Sequence, residues 1–230
     1  MVLAAGRGER MRPLTDRCPK PLLKVADKSL IEWQVERLVR AGFIDIVINH
    51  AYLGAMIEAA LGNGSRYGAR IQYSPEAEPL ETAGGIAQAL PLLGNEPFLT
   101  VSADIFTDFD YAGLVPKLKA MAQRPDETWA YLVMTPNPAY HTRGDFVLDG
   151  GRITLGDGPR LNYGNIGLHQ PALFAGLPRG VKMPLLPLWK QAIAAGKAYG
   201  EYFAGCWVNV GTPQQLAELD ARYEKSEHHD

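Results

Sequence analysis

Short, almost wholly apolar stretches alternate with amphipathic segments over the first hundred residues of the chain. The apolar stretches cover residues 1–5, 43–50, 69–74 and 97–104. Between them, apolar residues recur at the spacing of one helical face. Near-continuously apolar strands separated by helices are typical of a parallel sheet that helices cover on both sides. The pattern therefore predicts a Rossmann-like three-layer α/β/α fold, of class α/β, with a mostly parallel central sheet.

Polar and helix-breaking residues mark the ends of these predicted helices. A first helix over residues 29–41 has Ser29 at its N-cap position, where a hydroxyl can accept a backbone N–H. A second helix covers residues 52–64. A third is predicted to be capped by Thr82 and ended by Pro91, because proline disrupts the interior of a helix.

The second half of the chain changes character between residues 136 and 169. This stretch is rich in Gly, Pro and Asn with short β-like pieces, which indicates a small antiparallel excursion serving as a lid or substrate-side subdomain. Thr212 is predicted to cap a final helix, with Pro213 in its first position. The other predicted elements are a helix over 110–123, a strand over 129–135, a helix over 184–196, two strands within 199–211 and a last helix to residue 225. We therefore expect one domain over 1–225 and a disordered tail over 226–230.

Composition limits the classes of function. The 230 residues are 47% hydrophobic and 21% charged, with a net charge of −2. These values are those of an ordinary globular protein and provide no general attraction to nucleic acid or to an anionic membrane. Cys18 and Cys206 lack the spacing of a zinc site or a disulfide framework, which favours a reducing, cytoplasmic location. No apolar run approaches the roughly 18 residues of a membrane span. We expect small-molecule partners and either a monomer or a homodimer.

A glycine- and arginine-rich loop follows the first strand. Gly6 and Gly8 let the backbone approach a ligand closely and turn its N–H groups toward an anion. Arginine presents planar donors suited to phosphate, and residues 7–12 hold three arginines. A dinucleotide fold would have a third glycine where this chain has Met11, and a P-loop would have Gly-Lys followed by Ser or Thr. The loop therefore predicts phosphate binding by another mode.

The loop is also part of a longer motif. The stretch "LAAGRGERMRPLT" at residues 3–15, followed by "PKPLLKV" at 19–25, resembles the signature of the sugar-1-phosphate nucleotidylyltransferases. The likeness continues in further motifs along nearly the whole chain. They are "INH" at 48–50, "LETAGGI" at 80–86, "SAD" at 102–104, "GNIG" at 164–167 and "WVNVGT" at 207–212.

The resemblance implies an enzyme that transfers a nucleoside monophosphate from an NTP to a sugar 1-phosphate with Mg²⁺ and releases pyrophosphate. Within the family, "GERMRPLT" and the "SPE" and "EPLETAGGI" segments are similar to the branch that uses UTP and N-acetylmuramate 1-phosphate in cell-wall recycling. Another sugar 1-phosphate or a phosphocholine acceptor remains an alternative. So does a non-catalytic, nucleotide-sensing regulatory domain.

The resemblance also assigns roles to single residues. In the family, the positions of Ala5, Gly6 and Gly8 cradle the nucleotide, Arg10 holds the β- and γ-phosphates, and Lys20 reaches the α-phosphate. The remaining positions form two groups. The nucleobase is read by Glu81, Thr82 and Gly84, where Gly84 would leave room for the ring; the sugar is bound by Gly144, Asp145 and Asn165. Ser102 is a further candidate for substrate binding, because it lies two residues before a strand-end carboxylate.

That carboxylate is Asp104, which ends an apolar strand where packing gives no reason for a charge. Mg²⁺ prefers one or two carboxylates together with phosphate oxygens and water, so Asp104 is a candidate ligand. The family's second metal carboxylate corresponds to Asn209 in this chain. An amide oxygen can still bind Mg²⁺ but brings no charge. Two interpretations follow: an active enzyme with a weaker metal site, or a domain that has lost efficient turnover.

Overall fold

The structure is a computed structural model that describes residues 1–227, and side chains as far as residue 223. The strands are β1 (Val2–Leu3), β2 (Lys24–Val25), β3 (Lys28–Ser29), β4 (Asp45–His50), β5 (Arg70–Pro75), β6 (Phe98–Ser102), β7 (Ile105–Thr107), β8 (Ala130–Thr135), β9 (Phe146–Asp149), β10 (Arg152–Thr154), β11 (Arg160–His169), β12 (Ala198–Tyr202) and β13 (Trp207–Asn209). The α-helices are α1 (Leu30–Arg40), α2 (Gly54–Leu61), α3 (Glu81–Leu93), α4 (Val115–Gln123), α5 (Leu186–Ala194) and α6 (Pro213–Glu227).

Nine strands form one mixed sheet in the order β5-β4-β1-β6-β11-β8-β12-β10-β9. Strands β5, β4, β1 and β6 pair in parallel, as do β8 and β12. Strand β11 lies antiparallel between β6 and β8. Two small pairs, β2 with β3 and β7 with β13, stand beside the main sheet. The predicted α/β class is confirmed. The predicted parallel pairing holds over β5, β4, β1 and β6, but the rest of the sheet is mixed, because β11 and the β9–β10 pair join it in the antiparallel sense.

Alternating side chains of the sheet enter two separate cores. Ile46 and Ile48 pack with α1 and α2 on one face, whereas Val47 between them packs with α3 on the other. Because successive side chains of a strand point to opposite faces, both faces of the sheet are buried. This produces the predicted three layers. None of the helices over the described residues combines the length and apolar character that crossing a bilayer needs.

Two of the predicted helix starts are confirmed. Ser29 forms a capping box with Glu32, whose carboxylate accepts hydrogen bonds from the Ser29 backbone N–H at 3.0 Å and hydroxyl at 2.7 Å. Thr212 accepts from the Gln215 backbone N–H at 3.2 Å, directly before α6. That helix continues to Glu227, so residues 226 and 227 are helical, and residues 228–230 of the predicted tail lie outside the described residues.

The predictions for α3 are wrong at both ends. Thr82 is not its N-cap, because the helix begins at Glu81 and its first N–H groups have other partners. Ala83 N and Gly84 N donate to the Met183 carbonyl at 3.0 and 3.2 Å, so a distant segment satisfies the helix start. Pro91 does not end the helix either.

The helix passes Pro91 and stops two residues later, at Leu93. Leu90 and Leu93, on either side of the proline, both pack against the core on this face of the sheet. That burial favours continuing the helix despite the missing N–H of the proline. The end is instead marked by Gly94, at φ +78°, whose N–H donates to the Leu90 carbonyl at 3.1 Å.

The segment over residues 136–169 is less separate than its composition indicates. Strands β9 and β10 form an antiparallel pair at the sheet edge, as expected for an excursion. Strand β11, however, is the longest strand of the described chain and lies in the middle of the main sheet. A bulge between Tyr163 and Gly167 interrupts its pairing with β8. The segment therefore supplies both a sheet strand and the loops beside it.

Candidate active site

The candidate site lies at the carboxyl edge of the parallel strands. Leu3 at the end of β1 pairs with Ser102 at the end of β6 and with Asn49 of β4. The chain segments that follow these strands therefore emerge side by side. Ligands of open α/β sheets bind at this edge, outside the carboxyl ends of the strands.

The two glycines of the first loop have different surroundings. Gly6 is exposed, and an added Cβ would meet nothing within 4 Å among the described residues. Gly8 has a φ of +64°, and an added Cβ would lie 3.0 Å from Lys20 Cβ and 3.1 Å from Thr15 Cγ2. The N–H groups of residues 6–8 make no hydrogen bond within the part of the chain that the structure describes. The loop thus presents open donors at Gly6 and a closely packed turn at Gly8, as an anion cradle requires.

Lys20 and Asp104 form an ion pair across this edge. Lys20 Nζ donates to Asp104 Oδ2 at 2.5 Å, although the residues are 84 positions apart. Lys20 is only 8% exposed. A buried charged amine requires such a partner, since an unpaired charge would be costly to desolvate. The structure thus brings together two charged residues that the sequence singled out separately.

Asn209 stands beside Asp104 on a neighbouring strand. In the β7–β13 pair, Asn209 lies opposite Ile105, and Val210 N donates to the Asp104 carbonyl at 3.0 Å. The Asn209 Oδ1 atom is buried and has no hydrogen-bond partner among the described residues. A buried, unsatisfied oxygen on a strand that pairs beside Asp104 fits a hard cation that prefers oxygen ligands. The described residues contain no cluster of three or more His, Cys, Asp or Glu, so a cation here would need further ligands from the substrate.

Arg10 and Tyr140 complete this end of the site. An added Cβ at Gly211 would lie 3.4 Å from Arg10 Nη2, so the guanidinium rests against the backbone that follows Asn209. The Tyr140 hydroxyl interacts with the Asn209 side chain and with the charges of Arg10 and Asp104. Burial raises the pKa of this hydroxyl above its ordinary value. Sequence reasoning missed Tyr140 because a single tyrosine in an irregular loop has no distinguishing pattern.

A first cavity, the Glu81 cavity, has a volume of about 380 Å³. Its lining includes four predicted residues, Glu81, Thr82, Ser102 and Asn165. Glu81 and Asn165 have φ values of +59° and +57°, which side-chain-bearing residues rarely adopt. Such strain persists where the surrounding structure enforces it and is concentrated at functional sites. The predicted base-reading and sugar-binding segments therefore meet in one cavity.

Gly84 differs from its expected role. An added Cβ would lie 2.3 Å from the Val181 carbonyl oxygen, so protein backbone occupies the space that the glycine leaves. Gly84 is buried and does not line the Glu81 cavity. The glycine is therefore needed for packing α3 against residues 181–183. The prediction that it leaves room for a nucleobase is not supported by this geometry.

A buried polar chain joins the first loop to the start of α3. Ala4 N donates to Asn49 Oδ1 at 3.1 Å, Asn49 Nδ2 donates to Glu76 Oε1 at 2.6 Å, and Leu80 N donates to Glu76 Oε2 at 2.9 Å. Burial raises the pKa of the Glu76 carboxyl, and the hydrogen bonds from Asn49 and Leu80 act in the opposite direction. Asn49 and Glu76 thus hold the glycine loop and the Glu81 segment in a fixed relation.

A second cavity, the Asn209 cavity, has a volume of about 760 Å³ and joins the remaining predicted positions. Gly144, Asp145, Asn165 and Asn209 all line it. Asp145 is already engaged by the protein, because its Oδ1 lies 3.0 Å from His141 Nε2 and its Oδ2 accepts from Tyr163 N at 2.8 Å. The carboxylate therefore organises the wall of the cavity as well as facing it.

An aromatic wall bounds both cavities. Trp189 and Tyr163 line each of them, with ring centroids 4.6 Å apart in an edge arrangement. Trp189 Nε1 donates to His169 Nε2 at 3.2 Å. Burial lowers the pKa of His169 to about 3, so its ring is neutral and can accept this hydrogen bond. His169 thereby fixes the orientation of Trp189, and the sequence offered no signal for this pair.

Known proteins resemble this chain in sequence and in fold. A family model described as "Nucleotidyl transferase" matches residues 1–140. The chain is 47% identical to the N-acetylmuramate alpha-1-phosphate uridylyltransferase of Neisseria meningitidis over 96% of each chain. It is 36% identical to the protein of that name from Caulobacter vibrioides, over 96% of this chain and 95% of the relative.

More distant relatives have other named substrates. The chain is 29% identical to a mannose-1-phosphate guanylyltransferase catalytic subunit beta of Danio rerio, over 94% of this chain and 62% of the relative. A crystal structure described as a glucose-1-phosphate thymidylyltransferase from Bacillus anthracis has the same fold, with a TM-score of 0.82 at 20% identity, covering 96% of this chain and 93% of that one. The resemblance found in the motifs is thus confirmed: the chain belongs to the nucleotidyl transferase family and is a nucleotidyltransferase enzyme.

Proposed function

We propose that the enzyme transfers UMP from UTP to N-acetylmuramate 1-phosphate and releases pyrophosphate. The observation that carries the proposal is the Lys20–Asp104 pair, which lies beside the open glycine loop and the unsatisfied Asn209 oxygen. Two relatives covering nearly the whole chain have the corresponding name, which supports this choice of substrates.

In the proposed reaction, an oxygen of the sugar phosphate attacks the α-phosphorus of UTP. A new P–O bond forms there as the bond to the β-phosphate breaks, and pyrophosphate leaves with the electron pair. Such a reaction requires mainly positioning of the two phosphates and stabilisation of developing negative charge. The charged residues of the site suit both tasks.

Each part of the site has a role in this scheme. The N–H groups of residues 6–8 bind phosphate oxygens, and Arg10 binds the β- and γ-phosphates as they become the leaving group. Lys20 approaches the α-phosphate, where its ammonium group offsets charge in the transition state. Glu81 and Thr82 meet the edge of the base, and the Asn209 cavity receives the sugar.

Asp104 and Asn209 are the residues that would hold Mg²⁺. The buried Oδ1 of Asn209 and the Asp104 carboxylate supply two oxygen ligands, and substrate phosphates would supply more. When bound, the ion neutralises phosphate charge and acts as a Lewis acid. Since Asn209 is uncharged, we expect weaker Mg²⁺ affinity than two carboxylates would provide.

A substrate screen tests the proposal. UTP, GTP, dTTP, CTP and ATP are each combined with N-acetylmuramate, N-acetylglucosamine, mannose and glucose 1-phosphates, and with phosphocholine, over a range of Mg²⁺ concentrations. The expected result is fastest pyrophosphate release with UTP and N-acetylmuramate 1-phosphate. Faster release with another pair would contradict the assignment. Tight UTP binding without release would favour the nucleotide-sensing alternative that Asn209 suggests.

A further inference from the structure

A third cavity adjoins the Asn209 cavity, on the side of the loop before β9. This Arg143 cavity has a volume of about 530 Å³ and is lined by His141, Arg143, Gly144 and Arg160. His141, Gly144 and Arg160 also line the Asn209 cavity, so the two spaces share a wall. A molecule in the Asn209 cavity could therefore extend a substituent toward Arg143.

The Arg143 cavity is strongly basic. Arg143 and Arg160 are both exposed, and neither forms an ion pair with a carboxylate in the described part of the chain. The nearby carboxylate of Asp145 is occupied by His141 and by the Tyr163 N–H. Two guanidinium groups thus line one cavity without a counter-charge from the protein.

The backbone that carries the two arginines is held in a fixed frame. Asn137 Nδ2 donates to the Thr142 carbonyl at 3.2 Å and to the Arg160 carbonyl at 2.8 Å. Gly144 has a φ of +61°, and an added Cβ would lie 2.6 Å from the Arg160 carbonyl oxygen. The loop before β9 is therefore pinned against the first residue of β11. This fixes the backbone positions of the two arginines relative to each other.

We infer that Arg143 and Arg160 bind the carboxylate of the acceptor sugar. The inference rests on the proposed function: N-acetylmuramate differs from N-acetylglucosamine by an ether-linked lactyl group, which ends in a carboxylate. Guanidinium groups bind carboxylates through paired, charge-assisted hydrogen bonds. The phosphates have separate partners in Arg10, Lys20 and the glycine loop. The two arginines thus select for the acidic sugar.

Steady-state kinetics with two acceptors test this role. Pyrophosphate release from UTP is measured with N-acetylmuramate 1-phosphate and with N-acetylglucosamine 1-phosphate, for the unaltered enzyme, Arg143→Gln and Arg160→Gln. We expect each substitution to lower kcat/KM for the acidic sugar about 10- to 100-fold, as for loss of hydrogen bonds to a charged group. For the neutral sugar we expect a change below about 3-fold. Arg40→Gln, an exposed arginine at the end of α1, is the matched control and should change neither value.

The other outcomes have defined meanings. Equal losses with both sugars would overturn the inference, because they would show that the arginines bind the shared phosphate or support folding. Unchanged kinetics in both arginine variants would also overturn it. So would a Lys190→Gln variant that loses kcat/KM for the acidic sugar alone while the arginine variants lose none, since Lys190 lines the Asn209 cavity. Absence of turnover of N-acetylmuramate 1-phosphate by the unaltered enzyme would contradict the proposed function and this inference together. Thermal denaturation of each variant identifies any that has not folded.

Discussion

Alanine substitutions at the two glycines of the first loop should have opposite consequences. Gly6 is exposed, lies outside the left-handed region, and has open space where a Cβ would be placed. Gly8 is in the left-handed region and closely packed against Thr15 and Lys20. We therefore expect Gly6→Ala to impair UTP binding with little effect on stability, and Gly8→Ala to destabilise the fold.

The structure allows the cost at Gly8 to be estimated. Placing alanine at φ +64° costs about 1–2 kcal/mol. Contacts of 3.0 and 3.1 Å with Lys20 and Thr15 require further movement, which costs about 1 kcal/mol. The sum of about 2–3 kcal/mol corresponds to a fall in Tm of roughly 5–10 °C for a chain of this length. Gly42→Ala is the control, because Gly42 also has a positive φ but an added Cβ there would lie in open space. Its loss of stability measures the cost of backbone strain without the cost of close contacts.

At Gly6 the expected change is in binding. The added methyl group would occupy space that the cradle offers to a phosphate oxygen, so KM for UTP should rise at least ~10-fold, which corresponds to about 1.4 kcal/mol. The Tm of Gly6→Ala should stay within about 2 °C of the Tm of the unaltered protein, because a surface substitution without new contacts changes stability little. Thermal denaturation and pyrophosphate release at varied UTP concentration measure the two quantities.

An equal fall in Tm for Gly6→Ala and Gly8→Ala would contradict the difference in packing described for the two glycines. An unchanged KM for UTP in Gly6→Ala would contradict phosphate binding by the open N–H groups of residues 6–8.

Three other predictions concern the metal side of the site and the buried histidine. Asp104→Asn should lower the rate of pyrophosphate release at least ~10²-fold, and near-normal turnover would remove Asp104 from the catalytic machinery. Asn209→Asp should lower the Mg²⁺ concentration for half-maximal activity about tenfold, since a carboxylate adds negative charge to the site. It should also increase the rise in Tm on adding Mg²⁺. Identical Mg²⁺ responses in the two proteins would show that position 209 contributes nothing to Mg²⁺ binding. His169, with its pKa lowered to about 3, provides stability that is present above its unfolded pKa of about 6.5 and is lost as pH falls toward 3. In urea unfolding, the free energy of unfolding of the unaltered protein should therefore fall as the pH is lowered from 6 to 4, with this group contributing up to about 1.4 kcal/mol per pH unit. The free energy of unfolding of His169→Gln should fall less steeply over the same range.

Local signals in the sequence were sufficient where both partners are near in the chain. Ser29 and Glu32 are three residues apart, and their capping box depends on nothing else. The prediction for the start of α3 was wrong because its first N–H groups donate to the carbonyl of Met183, a hundred residues further on. Thr82 has the right chemistry for a cap, but no pattern in its neighbourhood shows that another group already holds the position.

The glycines of β11 misled the prediction for a related reason. Glycine in a strand can mark a turn or a close approach of neighbouring chains, and composition alone does not distinguish these cases. A Cβ at Gly164 would lie 2.9 Å from Thr135 Cγ2 and 3.1 Å from the Val133 carbonyl, so the neighbouring strand requires glycine there. The charged residues Lys20 and Asp104 could be predicted from the motif. Tyr140 lies in an irregular loop and Trp189 lies on α5, and neither belongs to a motif.

The two sides of the site are built differently, which bears on how the family accommodates different acceptors. On the nucleotide side, Asn49 and Glu76 tie the glycine loop to the start of α3 through buried hydrogen bonds. Substituting Asn49 or Glu76 would leave the buried polar groups that they contact without hydrogen-bond partners. On the acceptor side, Arg143 and Arg160 extend as exposed side chains from a pinned backbone. Other residues can therefore replace them without disturbing the core. A relative named for mannose 1-phosphate aligns with 94% of this chain at 29% identity, as expected if acceptor-side chains vary on a retained frame.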